Sequence, residues 1–171
     1  MKLAFFCSSK PALAPIFRES VQALIQTIEL TSYFSAFVYG GGTSGLMGLV
    51  REYSTLPVIG HNLQRWDPQP GEFIYDSLRE RQAGIVDGAD AYMVLAGGVG
   101  TIYELFQVLC ENDVEKRNKP IFIYDPDLVY SPLEELLQRM YKHQYITSPP
   151  AVIFIRSLEE VPNALDQIFS K

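Results

Sequence analysis

Cysteine is scarce in this chain of 171 residues: Cys7 and Cys110 lie far apart, each in an apolar run. No disulfide framework or zinc pattern follows, and both read as reduced core cysteines of a cytosol-like compartment. Histidine is as sparse, with His61 read as a loop residue and His143 as a surface-helix residue, so no metal ligand set is expected. Positive charge is in deficit, 14 Lys and Arg against 20 Asp and Glu for a net charge of -6. The chain repels polyanions as a whole, and nucleic acid is not an expected partner. No apolar run approaches the roughly 20 residues of a membrane span, and the one in MKLAFFCSSK is too short for a signal peptide. A cytoplasmic protein without a membrane partner is expected. What is present, 47% hydrophobic and 20% charged residues, suits one globular domain over residues 1–171.

Short apolar runs suited to buried parallel strands occur at 3–7, 37–39, 57–60, 91–95, 121–124 and 152–155. Between them, apolar residues at helical spacing predict helices over 16–30, 45–53, 75–86, 101–113, 133–141 and 158–169. Regular βα alternation predicts an α/β fold, a Rossmann-like doubly wound parallel sheet with helices on both faces. The Pro-rich, polar stretch from Gln64 to Phe73 reads as a surface loop beyond the third strand, either a lid or a connection. The KRNK segment, Lys116 to Lys119, reads as a solvated turn.

Eight of the 12 glycines fall in two loops, Gly40, Gly41, Gly42, Gly45 and Gly48 in one, Gly97, Gly98 and Gly100 in the other. Each loop follows a predicted strand and opens a predicted helix, where backbone N–H groups and the helix dipole favour an anion. Both therefore read as phosphate cradles flanking one crevice. GGGTSG, from Gly40 to Gly45, formally matches the dinucleotide fingerprint, but the next strand ends in Gly60, His61 and Asn62 where ribose recognition wants an acid, so a nicotinamide dinucleotide is a secondary reading. Neither loop carries the Lys-Ser/Thr pair of a nucleoside triphosphate site. Amides, hydroxyls such as Ser9, Thr43, Ser44 and Thr101, and an arginine would meet a monophosphate. Thr101 and Glu104 share one face of the second helix, beside a stripe of Ile102, Leu105, Phe106 and Leu109 expected to be buried. Arg79 and Arg81 precede them, and either could supply the bidentate contact that the lysine-free loops lack.

The run GGGTSGLMG, then RERQ, then AGGVGTIYE resembles the LONELY GUY (LOG) family of cytokinin riboside 5'-monophosphate phosphoribohydrolases, formerly labelled possible lysine decarboxylases. The order and spacing match the family's PGGxGTxxE pattern across nearly the whole chain. The resemblance implies a Rossmann-like homodimer with its site near the subunit interface, no cofactor, and cleavage of a nucleoside monophosphate to free base and ribose 5-phosphate. It implies Arg81 and Glu104 as the catalytic pair. Gly41, Gly42, Gly97, Gly98, Gly100 and Thr101 would hold the phosphate, with Ser9 and Met47 as nucleotide contacts. The family's leading Pro is Ala96 here, its Lys after the catalytic Arg is Gln82, and the segment after GLMG is short. The substrate is expected to be AMP or a cytokinin ribotide. The competing reading is a non-catalytic nucleotide-binding module. A decarboxylase would need a Schiff-base lysine, and neither the glycine loops nor the neighbouring strand ends present one.

Overall fold

Apolar residues on both sides of the central strands leave no face that can meet water, and the chain answers with helices on each side. The computed structural model describes every residue except 12–14, 147, 148, 150 and 171, and describes 15–17 by backbone alone. In chain order the elements are β1 (Lys2–Phe6), α1 (Pro15–Leu30), β2 (Ala36–Tyr39), α2 (Gly45–Tyr53), β3 (Val58–Leu63), a 3-10 turn (Gln64–Trp66), β4 (Phe73–Tyr75), α3 (Leu78–Asp87), β5 (Ala91–Val94), α4 (Val99–Glu115), β6 (Ile121–Tyr124), α5 (Ser131–Lys142), β7 (Val152–Ile155) and α6 (Glu160–Phe169).

Among the described residues seven strands form one parallel sheet in the order β4-β3-β2-β1-β5-β6-β7. Successive side chains of β1 go to opposite faces. Leu3 and Phe5 join the core under α1, α2 and α6, with Leu24, Ile25, Leu49 and Leu165. Ala4 and Phe6 join the core under α3 and α4, with Ile85, Val86, Leu105 and Val108. Strand order reverses at β1, flanked by β2 and β5, so the loops at the carboxyl ends of these strands open onto one crevice. The expected Rossmann-like α/β class is the observed one.

Several local expectations are corrected. The predicted loop from Gln64 to Phe73 contains a 3-10 turn and leads into a seventh strand, pairing His61 with Phe73 and Leu63 with Tyr75. A three-residue edge strand behind Pro68, Pro70 and Gly71 has too few residues to show a period, and its last residue was counted into the helix. That helix starts at Leu78, because Ser77 and Glu80 form a reciprocal capping box. His61 is a buried strand residue, not a loop residue. KRNK is not merely solvated: Lys119 Nζ donates to Val86 O (2.9 Å) and Ala89 O (2.7 Å), tying off the end of α3, and Arg117 bridges Asp87 and Glu115. Cys7 is buried as expected, but Cys110 is exposed. The buried stripe of α4 is Thr101, Glu104, Leu105 and Val108, whereas Phe106 is exposed and Ile102 and Leu109 half-buried. No helix among the described residues is long and apolar enough to cross a membrane.

The capping box fixes the start of the helix that carries Arg81. Ser77→Ala should therefore cost about 1 kcal/mol of unfolding free energy, read as a lowered urea midpoint.

Candidate active site

The loops after β1, β2 and β5, the start of α3 and the turn around Trp66 surround a cleft of about 1050 Å³. Of the residues expected in a site, Ser9, Gly41, Gly42, Met47, Arg81, Gly98, Gly100, Thr101 and Glu104 line it. Gly97 does not: it lies behind the cleft wall, where an added Cβ would come 2.1 Å from Thr101 Oγ1. Arg79 is exposed, so of the two candidate arginines Arg81 is the one that reaches the strand ends.

Arg81 is 4% exposed. Its Nε donates to His61 O (2.8 Å) on β3, and its Nη2 donates to Gly40 O (2.7 Å) after β2. A Cβ at position 40 would sit 2.1 Å from Nη2, so a side chain there would displace the guanidinium from this arrangement. Nη1 forms an ion pair with Glu104 Oε1 at 3.7 Å, and that oxygen accepts a hydrogen bond from Gln82 Nε2 (3.2 Å). Burial pushes the Glu104 carboxyl up to about 7 against the lowering effects of Arg81 and Gln82. Burial likewise lowers the Arg81 guanidinium, which stays charged. Cys7, on the cleft wall, has its thiol raised well above its ordinary range by burial, with Glu104 adding to the rise, which keeps it protonated at neutral pH. His61, pushed down to about 4 by burial and by Arg81, is neutral at pH 7 and shares a 2.9 Å hydrogen bond with Tyr75 Oη.

The two glycine loops differ in kind. In the first, Gly41, Gly42 and Gly45 have φ of 75, 81 and 63°, which glycine adopts without strain. The Gly42 amide, however, already donates to Glu72 Oε1 (2.9 Å), and the first amides of α2 are taken by Ser8 O, 2.8 Å from Leu46 N. Glu72, which sequence reasoning passed over in a presumed loop, also accepts from Tyr39 Oη, Asn62 Nδ2 and the Gln69 amide, with Arg51 at 3.6 Å. These donors hold its carboxyl below the usual range even though burial acts the other way. The Glu72 carboxylate thus takes the Gly42 amide, although a Cβ at Gly42 would still meet nothing within 4 Å.

In the second loop Gly98 gives α4 no side-chain cap, and Val99, Gly100 and Thr101 lie on the cleft wall. A Cβ at Gly98 or Gly100 would meet nothing within 4 Å. Internal packing does not require glycine there, and the room beside a helix N-terminus fits an anion. Lys10, in the loop after β1, also lines the cleft, a lysine at a strand end that sequence reading had not placed there; it stands exposed at the rim and not in an enclosed pocket.

A parallel α/β sheet with an anion-ready helix N-terminus one turn from a buried Arg–Glu pair describes an enzyme site for a phosphorylated small molecule. Residues 44–168 match the family model described as "Possible lysine decarboxylase", and the chain belongs to that family. It is 29% identical to cytokinin riboside 5'-monophosphate phosphoribohydrolase LOG7 of Arabidopsis thaliana, covering 99% of this chain and 86% of the relative. It is 30% identical to probable cytokinin riboside 5'-monophosphate phosphoribohydrolase LOG4 of Oryza sativa subsp. japonica, covering 90% and 70%. Among solved structures, the molybdenum cofactor carrier protein of Chlamydomonas reinhardtii superposes with a TM-score of 0.68 at 14% identity, covering 99% and 98%. The molybdenum cofactor binding protein of Rippkaea orientalis gives 0.65 at 18%, covering 98% and 96%. At these identities the structural likeness shows the fold alone.

The open space at Gly100 separates binding from stability. Gly100→Ala should leave unfolding free energy unchanged or raise it by up to about 1 kcal/mol, while ribose 5-phosphate binding, read by calorimetry, weakens about tenfold.

Proposed function

We propose that the protein hydrolyses the N-glycosidic bond of a purine nucleoside 5'-monophosphate, AMP or a cytokinin ribotide, to free base and ribose 5-phosphate. The carrying observation is Glu104, buried beside Arg81 in the second turn of α4, behind its uncapped N-terminus, and poised near neutral pH. The family relatives named as phosphoribohydrolases support the same reading.

In this reading the amides of Gly98 to Thr101 take the 5'-phosphate, with Gly97 holding Thr101 from behind. Gly41, with Ser9 and Met47, shapes the opposite wall, and Gly42 contributes through its bond to Glu72 more than through a free amide. The C1'–N bond breaks with its electron pair leaving on the base nitrogen, and positive charge grows on the ribosyl ring. The Glu104 carboxylate stabilises that charge and takes a proton from the water whose oxygen bonds to C1'; that proton passes on to the departing base nitrogen, which releases the neutral base and restores the carboxylate. Arg81 keeps Glu104 ionised enough to act and fixes its orientation. No step calls for a cofactor.

We further infer a homodimer. Val99, Tyr103, Phe106, Cys110 and Val114 are all exposed and recur every three or four residues along α4, an apolar stripe left uncovered by the described residues that starts at the cleft mouth. Beside it lies an apolar groove of about 240 Å³ shared with Leu137 and Met140 of α5. A second copy packed on this stripe would bring its surface to the edge of the site. Both thiols are free, in keeping with a cytoplasmic location.

Incubating the protein with AMP and, separately, isopentenyladenosine 5'-monophosphate should release free base and ribose 5-phosphate, followed by chromatography. Glu104→Gln and Arg81→Ala should each lower kcat by about a hundredfold or more; equal rates in the variants would contradict the assignment. Phe106→Glu should convert a dimer to a monomer in light scattering, and an unchanged dimer mass would remove the stripe as its interface.

A further inference from the structure

The chain has a single tryptophan, and it stands in the 3-10 turn after β3. Trp66 lines the cleft, half-exposed, with its ring centroid 5.4 Å from the Arg81 guanidinium carbon. It therefore borders the arginine that holds Glu104. Arg65, the other cation against the ring at 5.5 Å, is exposed. The turn that carries the indole is not loose. Glu72 binds the Gln69 amide, the Asn62 side chain on β3 and the Gly42 amide of the first glycine loop, and Asp67 adopts the left-handed conformation at φ 49°. The buried carboxylate thus pins the turn to two strand ends.

We propose that Trp66 is the platform on which the purine base of the substrate stacks, held in position by the Glu72 clip. This rests on the phosphoribohydrolase reading. With phosphate at the start of α4 and the anomeric carbon by Glu104, the base is bonded to the carbon nearest the Arg81–Glu104 pair; of the two aromatics lining the cleft, Trp66 and Tyr103, the indole is the one packed against Arg81. A bound base replaces the exposed Arg65 guanidinium against the ring. An anchored platform loses little freedom on binding, so more of the stacking energy appears as affinity. Stacking reads the face of a base and not its edge, so the platform accepts adenine with or without an N6 substituent.

The lone tryptophan makes the test direct. Titrating AMP into the full-length protein should quench Trp66 fluorescence saturably, whereas ribose 5-phosphate, which lacks a base, should bind by calorimetry with little quenching. Trp66→Ala should weaken AMP binding about 10- to 100-fold and leave ribose 5-phosphate binding within about twofold; Trp66→Phe should recover most of the AMP affinity. AMP binding that is unaffected by Trp66→Ala, or that saturates without quenching in the wild type, overturns the platform. If ribose 5-phosphate binds normally in that case, the platform alone fails; if neither ligand binds the wild type, the phosphoribohydrolase reading fails with it.

Discussion

The buried guanidinium of Arg81 is the constraint around which the site is arranged. A cation taken out of water needs compensation from every side, and here it comes from two strand-end carbonyls, His61 O and Gly40 O, and from one carboxylate, Glu104. Each partner imposes a condition on the sequence. Gly40 has to lack a side chain, β3 has to extend to His61, and Ser77 has to start α3 where Arg81 faces inward. Leaving such a buried charge unpaired costs roughly 3–5 kcal/mol, so the pair holds β2, β3, α3 and α4 together while it holds the carboxylate ready. Fold and chemistry share one interaction.

The same logic explains why two similar glycine loops have different uses. Both place amides at a helix start, but the first has its own anion, Glu72, and its α2 amides are taken by Ser8 O. The α4 terminus has no side-chain cap from Gly98, and a Cβ at Gly98 or Gly100 would meet nothing within 4 Å. The first loop thus braces the wall that carries Trp66, and the second is the one proposed to take the phosphate. Gln82 hydrogen-bonds Glu104 without adding a charge, which leaves burial as the dominant influence on that carboxyl.

The fold was legible in the sequence wherever period and length spoke clearly: six apolar runs and the helices between them gave the parallel sheet, and the runs at 121–124 and 152–155 match β6 and β7 residue for residue. The cleft was legible through its glycines and through Arg81 and Glu104, because strand-to-helix turns fix where such residues land. β4 was hidden because three residues cannot display alternation. Glu72 and Trp66 were hidden for a related reason: their roles come from long-range partners, Gly42 and Asn62 for one and Arg81 for the other, which no local pattern announces. The outward turn of Phe106 and Cys110 was missed because an apolar residue on a helix reads as core whether another helix or another molecule covers it.

The pH dependence of kcat/KM for AMP hydrolysis tests the central claim most directly, since it reports the ionisation of the free enzyme. A carboxyl raised to about 7 is protonated below that pH and ionised above it, so the rate should fall on acidification through about pH 7. Gln82→Lys, placing a cation beside Glu104, should move that limb to lower pH, whereas the substrate phosphate's own titration near pH 6 would stay in place. A limb near 7 that moves with Gln82→Lys would assign it to Glu104. A flat profile through neutrality, or a limb that ignores the substitution, would contradict a catalytic role for the buried pair.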